Sequence, residues 1–435
     1  MSEILNHNII IKYDDIEKID RIPHDHRKNL LLISPMLHQG GFERICVATA
    51  RIVKDDYNVT IVIFSNEDVA YDISGLNVVN LDLGVRNGQL AKTLNILKRR
   101  NRLKALEKRL KTDIVYSFGL SASIVNCAAA DRYKKEPATD NEGMADNRAY
   151  ESIVGNYDKH IMRYVGLRGY TDFNSPKVMK MYARCADGVI CCSKLISDEF
   201  RRKYKYDRTS TLYNPYDIER IKADSKKDTA NIPFPENTKV FVSMGREDDV
   251  KNFPFMIGAF KCIHEKSHET GLMIIGEGEY LKEKNLANEL GLKDSVYFAG
   301  LQTEPYKYLK CGYIYLLTSF HEGFPNALVE AMALGIPVVS VNCKSGPAEI
   351  LDASAPYDAT KTVYGSYGII CPEVTEADAQ DKTVLDRKER AFADTVLSLM
   401  TDRAMYEKYS DAAECRAADF SNESYRAGLK AILDR

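Results

Sequence analysis

Long apolar runs are missing from this chain. No window of its 435 residues approaches 18 uninterrupted apolar side chains, so no segment reads as a membrane-spanning helix. The opening MSEILNHNIIIKYDDIEKID has neither a basic start nor an apolar stretch of signal length. We therefore expect a cytoplasmic chain, with peripheral attachment to the inner membrane face as the further option. No C-x-x-C pair occurs, and no Cys/His cluster has zinc-finger spacing, so no metal site is expected. The ten cysteines are scattered, several of them (Cys191, Cys192, Cys371) inside apolar runs. They read as reduced thiols acting as small hydrophobes rather than as a disulfide framework. An excess of positive charge is missing too: 28% of residues are charged and the net charge is −2. That excludes a globally basic nucleic-acid binder.

What is present is enough apolar material, 45% of residues, for two cores in a chain too long for one. Short β-rich runs alternate with helical patterns from residue 28. Strands are expected at Asn29–Ser34, Val59–Phe64, Val78–Leu81, Asp113–Ser117, Gly188–Cys192 and Thr209–Tyr213. A second series falls at Val240–Met244, Leu272–Ile275, Val296–Phe298, Tyr313–Thr318 and Pro337–Val341, and ends at YGIICP, residues 367–372. Their near-continuous apolar character fits parallel strands covered on both faces. The fold class is α/β, with two Rossmann-like doubly wound parallel sheets in tandem. We divide the chain into a polar extension 1–27, a first domain 28–216, a linker 217–239, a second domain 240–418 and a terminal helix 419–435 that packs back on the first domain. Ligands in such folds bind at the carboxyl ends of strands, here expected in a cleft between domains.

The segment Thr318–Leu351 carries the most chemistry. After a strand comes the loop His321-Glu322-Gly323-Phe324. Pro325 fits the first helical position, and Gly335 ends the helix. The amino end of that helix suits a diphosphate. Glu330 stands in a helix apolar on nearly every side, where a carboxylate is costly unless hydrogen-bonded. Two vicinal ribose hydroxyls would serve. The other reading is a partly exposed Glu, or one paired with a basic side chain. Glu322 is placed to hold sugar hydroxyls, or else is a loop acid in solvent or one capping the helix; His321 reads as loop surface. Arg246 and Lys251, in GREDDVKN at the end of the second domain's first strand, offer a fork and a point charge for a diphosphate. The alternative is an ordinary surface loop. Gly40 and Gly41 between the first long strand and its helix allow close approach of an anion. Gly276 and Gly278 read as a tight turn over the nucleotide end of the site.

Taken in order, these motifs resemble the family 4 retaining glycosyltransferases. The E-x7-E spacing of Glu322 and Glu330 within HEGFPNALVEAMALGIPVVS is similar to that family's signature. GRxxxxKN at 245–252, IGEGEY at 275–280, FAG at 298–300, SGPAEIL at 345–351 and YGIICP at 367–372 fit as well. In the first half, QGGFER at 39–44, DGVICCS at 187–193 and YNP at 213–215 look similar. The resemblance implies a GT-B fold, its two domains facing across a cleft, with no cofactor and no obligatory metal. The substrate would be a nucleoside-diphosphate sugar, with UDP as the expected nucleotide. Glu322, Arg246 and Lys251 would then serve catalysis. Glu330, Gly323, Phe324, Pro325, Asn326, Gly40, Gly41, Gly276 and Gly278 would bind the donor. A hexose or N-acetylhexosamine would pass, with retained configuration, to a glycan or lipid-linked glycan in surface polysaccharide synthesis. Many relatives place a His near the donor sugar from the first domain. The stretch Asp131–Tyr150 has none, and Asn141, Glu142 or Arg148 would stand there. The alternatives on this scaffold are a non-catalytic sugar-nucleotide-binding protein and a sugar-nucleotide epimerase.

One stretch of the first domain is strongly basic. KRRNRLKALEKRLK carries Lys98, Arg99, Arg100, Arg102, Lys104, Lys108, Arg109 and Lys111, with Leu103, Leu106 and Leu110 at helical spacing. It reads either as a helix resting on an anionic membrane surface or as a solvated helix whose leucines face the core.

Overall fold

Parallel pairing of short buried strands dominates the computed structural model of this protein, which describes residues 10–85, 88–130, 160–227, 231–352 and 360–435. Asn141, Glu142 and Arg148 lie outside the described residues. The chain divides into two units. Unit 1 comprises Met1–Cys191, Ser197–Ser210 and Lys430–Arg435; unit 2 comprises Cys192–Ile196 and Thr211–Leu429.

Unit 1 begins with β1 (Ile10–Lys12), α1 (Ile16–Asp20), β2 (Asn29–Ser34), α2 (Gly41–Val53), β3 (Asn58–Ile63) and β4 (Asn77–Asn80). It continues through α3 (Gln89–Arg109), β5 (Ile114–Ser117), α4 (Leu120–Ala129), β6 (Met162–Leu167), α5 (Pro176–Cys185), β7 (Gly188–Cys191), α6 (Lys194–Tyr204) and β8 (Thr209–Thr211). The sheet order is β1-β4-β3-β2-β5-β6-β7-β8. Strands β2 and β3 pair in parallel from Asn29↔Asn58 to Ser34↔Ile63, and five of the six residues in each are buried. Apolar side chains on both faces require cover on both faces, and the helices supply it. Leu31, Ile33, Val62, Val79, Leu103, Leu106, Leu110 and Val125 belong to one core cluster.

The expected polar extension is corrected here. Residues Ile10–Lys12 add an edge strand parallel to β4, and Ile19 and Ile22 enter the same core. A three-residue strand is too short for periodicity to reveal. The last residues of the chain also belong to unit 1. Lys430 bonds Asp56 at 2.5 Å, Asp434 bonds Lys28 at 3.0 Å, and the Tyr164 hydroxyl donates to the Ile432 carbonyl at 3.1 Å.

Unit 2 holds α7 (Ile218–Ser225), β9 (Lys239–Met244), α8 (Phe253–Lys266), β10 (Thr270–Ile275), α9 (Leu281–Glu289), β11 (Val296–Gly300) and α10 (Pro305–Leu309). Next come β12 (Ile314–Leu317), α11 (Asn326–Ala333), β13 (Val338–Val341), α12 (Pro347–Ile350), β14 (Val363–Tyr364), β15 (Ile369–Cys371), α13 (Lys382–Thr401), α14 (Arg403–Ala418) and α15 (Asn422–Leu433). Its sheet runs β11-β10-β9-β12-β13-β15-β14, parallel except at β14–β15. The expected linker is not separate. Asp217 caps α7 through Arg220 N–H, and the change of unit falls at residue 211 rather than 216. The ten cysteines are all free, and seven of them are buried.

Helices α8 and α13 pack closely, and the Glu389 carboxylate lies against Gly258. Burial, then the charge of Asp386, pushes the Glu389 carboxyl up to about 7. The folded-state value exceeds the unfolded one, so folding is penalised as pH rises from about 4.5 through 7. Glu389→Gln should therefore raise the melting point at pH 8, by the equivalent of about 1–2 kcal/mol after allowing for solvent screening. It should change little at pH 4. Paired thermal melts at the two pH values check this; equal shifts at both would contradict the burial argument.

Candidate active site

Strand β9 ends at Met244, and the chain then turns through Gly245–Asn252 before α8. Asp248 organises this turn. Its carboxylate accepts from Val250 N–H at 3.1 Å and from the Arg246 guanidinium at 3.0 Å. Burial alone would raise its pKa, but these bonds and the charges of Arg246 and Lys251 outweigh burial and hold it below the usual value. Asn252 closes the turn with φ at 50°, a conformation asparagine tolerates better than most residues. Gly276 and Gly278 face the same turn. A Cβ on Gly276 would lie 2.0 Å from the Gly245 carbonyl oxygen, and one on Gly278 would lie 2.4 Å from Glu247 Cβ. Glu247 in turn accepts from the backbone N–H groups of Glu279 and Tyr280, at 2.8 and 2.9 Å. Close backbone approach thus accounts for both glycines.

Lys251 and Glu322 meet although 71 residues separate them in sequence, with Nζ to Oε1 at 2.7 Å. Ser319 Oγ donates to the same carboxylate oxygen at 2.7 Å. The pair is half-sheltered, its side chains 26% and 12% exposed. The loop that carries Glu322 is itself fixed. Glu322 N–H donates to the Lys344 carbonyl, and Ser345 Oγ donates to the Gly323 carbonyl at 2.8 Å. Gly346, at φ 99°, lies where a Cβ would meet Pro325 Cδ at 2.6 Å.

Helix α11 starts at Asn326, so Pro325 occupies the cap position and not the first helical turn expected above. Asn326 is held by its side chain. Its Oδ1 accepts from Asn214 Nδ2 at 2.9 Å and from the Tyr216 hydroxyl at 2.6 Å. Phe324 stacks on Tyr213, with centroids 5.1 Å apart, and its side chain is buried. The Phe324 ring therefore belongs to the packing beneath the loop. Glu330, one turn further along α11, is only 4% exposed and accepts from the Tyr306 hydroxyl at 3.4 Å. The partly exposed alternative does not hold. Both carboxylates act on Tyr315 of β12: burial first, then the charge of Glu322 and more weakly that of Glu330, pushes its phenol up. Unit 2 thus gathers a cation, two sheltered carboxylates and a helix amino end. Such a set can hold an anionic diphosphate and a polyhydroxyl compound together.

Gly40 and Gly41 lie in unit 1, at the amino end of α2. That end already faces an anion belonging to the protein. Glu43 is buried, its carboxylate 3.1 Å from His38 Nδ1, and a Cβ on Gly40 would lie 2.2 Å from Glu43 Oε2. The Tyr71 hydroxyl accepts from Gly40 N–H and donates to its carbonyl. The sequence reading missed Glu43, His38 and Tyr71. Glu43 sits within the QGGFER motif, but nothing in its spacing marks it as buried.

The basic stretch of α3 is taken up by the fold in part. Leu103, Leu106 and Leu110 are core residues. Arg99 is buried, donates to the Leu83 carbonyl at 2.6 Å, and lies 4.3 Å from the centre of the Phe64 ring. Arg102 bonds the Leu81 carbonyl, and Arg109 pairs with Asp20 at 2.5 Å. The core takes the three leucines and Arg99, while Arg102 and Arg109 stay partly exposed, each bonded to a neighbour within the protein.

Comparison with known proteins shows what part of the chain is similar to others. Residues 224–358 match the family model for glycosyl transferases group 1. The chain is 33% identical over 253 residues to an uncharacterized glycosyltransferase of Methanocaldococcus jannaschii, covering 55% of this chain and 61% of that one. It is 36% identical over 142 residues to the N-acetylgalactosamine-N,N'-diacetylbacillosaminyl-diphospho-undecaprenol 4-alpha-N-acetylgalactosaminyltransferase of Campylobacter jejuni, covering 32% and 36%. Both alignments thus span less than two thirds of the relative's own length. Among solved structures, Anabaena HepE in complex with UDP and glucose is similar in fold, with TM-score 0.67 and 16% identity, over 94% of this chain and 100% of that one. Residues 224–358, within unit 2, thus resemble the glycosyl transferases group 1, and the two parallel-sheet α/β units of the chain carry the GT-B fold.

Proposed function

We propose that the protein transfers a hexose or N-acetylhexosamine from a nucleoside-diphosphate sugar, with UDP as the nucleotide, to a glycan or lipid-linked glycan. The product keeps the donor's anomeric configuration, and the reaction serves surface polysaccharide assembly. The observation that carries this reading is the Lys251–Glu322 ion pair, in one unit with the buried carboxylate of Glu330. A lysine ammonium has three donors, so Lys251 can keep Glu322 and take a phosphate oxygen as well. Arg246, two-thirds exposed on its Asp248 partner, is free to turn toward the same diphosphate. Glu322 accepts from hydroxyls of the transferred sugar, and Glu330 from the ribose.

In the proposed step the acceptor hydroxyl oxygen bonds to the anomeric carbon on the face that the nucleotide leaves. The bond from that carbon to the β-phosphate oxygen breaks, and the departing phosphate oxygen takes the acceptor's proton. Charge grows on the diphosphate as it leaves, and a fixed cation counts for most there. No covalent protein nucleophile is needed. The lipid-linked acceptor is supported by the acceptor named for the Campylobacter jejuni relative, and UDP by the complex of Anabaena HepE.

Incubation with labelled UDP-hexoses and UDP-N-acetylhexosamines, with and without polyprenyl-diphosphate glycans, tests the proposal. Product formed only with acceptor, and α-linked from an α-donor, is the expected result. A donor altered without acceptor would point instead to epimerisation, and donor binding without turnover to a non-catalytic binding protein.

A further inference from the structure

Large apolar side chains are exposed at nine described positions, and four of them fall within residues 85–97: Val85 at 76%, Leu90 at 84%, Leu94 at 58% and Leu97 at 45%. The three leucines sit on α3, on the side away from its core leucines. Leu90, Leu94, Leu97, Asn101, Ala105 and Lys108 are all exposed and follow each other by four and three residues. They therefore form one straight stripe, about 27 Å long at 1.5 Å per residue. Lys98 is exposed beside it and, like Lys108, has no ion-pair partner among the described residues. The only acid on α3 is Glu107, which is buried and bonded to Arg163 at 2.7 Å. The outward face of α3 thus carries leucines over its first half, Lys98 beside the last of them, Lys108 near its carboxyl end and no negative charge.

We propose that this outward face seats the protein on an anionic lipid bilayer. The leucines enter the region between headgroups and acyl chains, and Lys98 and Lys108 meet lipid phosphates. No described helix is long and apolar enough to cross a membrane, so the attachment is peripheral. Three leucines and an alanine offer roughly a few hundred Å², below the ~800 Å² per partner of a stable protein interface, which favours a bilayer over a second copy of the chain. This face shares no residue with the basic and apolar positions that the core consumes, and it does not depend on the transfer reaction.

The chain has no tryptophan, so Leu94→Trp supplies a single reporter. On vesicles of equal parts phosphatidylglycerol and phosphatidylcholine its emission should shift to the blue and the protein should co-sediment. Pure phosphatidylcholine should give neither. Leu90→Glu/Leu97→Glu should lower the bound fraction at least about tenfold, and Lys98→Glu or Lys108→Glu about fivefold each. All four positions are exposed, so the melting point should stay within a few degrees and UDP-sugar binding in unit 2 should persist. Equal binding to both vesicle types would overturn the proposal. So would a reporter already shielded without lipid, whether by a second copy of the chain in a doubled mass or by another part of the same chain.

Discussion

Lys251→Ala should lower kcat by about 10²–10³ while the donor KM changes by no more than about threefold. The expected split follows from where charge develops. In the ground state the diphosphate is already charged and can be held by Arg246 and by backbone N–H groups. During transfer the bridging oxygen gains charge, and a cation fixed by Glu322 at 2.7 Å is already in place to meet it. The variant also leaves Glu322 with Ser319 as its bonded side chain. A sheltered carboxylate that loses its counter-ion costs stability, so the melt should be recorded beside the kinetics. The single variant Glu322→Gln and the double variant Lys251→Ala/Glu322→Gln complete the cycle. Paired residues should be strongly non-additive, the double variant being little worse than the worse single one. Wild-type turnover in Lys251→Ala on the true substrates would remove the assignment.

Glu330→Ala should act on the other parameter. If its carboxylate accepts from two ribose hydroxyls, each charge-assisted bond adds about 1.5 kcal/mol, and the loss of both weakens donor binding by roughly 10²-fold. Isothermal titration with the UDP-sugar and with UDP alone should show the same loss, because the contact precedes chemistry. The competing account is structural: Glu330 would serve only to hold Tyr306, whose hydroxyl donates to it at 3.4 Å. Tyr306→Phe separates the two. A purely structural role predicts similar losses of stability in both variants and unchanged UDP affinity in the folded protein. A ribose role predicts that Tyr306→Phe binds UDP nearly as wild type does, whereas Glu330→Ala does not.

Much of this fold was legible because its strands are short apolar runs with helices between them. β2, β3, β9, β10 and β13 fall close to their expected positions. The missing ones are instructive. β6 carries Arg163, buried and paired with Glu107 and Asn126, and a charged residue inside a strand hides it from any reading based on hydrophobicity. β1 and β14 are three and two residues long, too short to leave a pattern. At the site, sequence spacing located Glu322, Glu330 and Lys251 because they sit in recognisable motifs. It could not supply Ser319 or Tyr306, nor the bonds that Ser345 and Asn214 make from within their motifs, which arise only when separate elements come together. The sequence also made α3 look like one amphipathic helix with a single apolar stripe. Folding gives it two leucine faces, and periodicity alone does not say which of them the core takes.

The return of Lys430–Arg435 to the first sheet has a consequence for biogenesis. Asp56 is translated 374 residues before its partner Lys430, and Lys28 406 residues before Asp434. Unit 1 therefore waits, incomplete, while some two hundred residues of unit 2 are made and fold in between. A nascent chain halted after residue 216 would lack that closing segment, and an excised fragment ending there would meet the same gap.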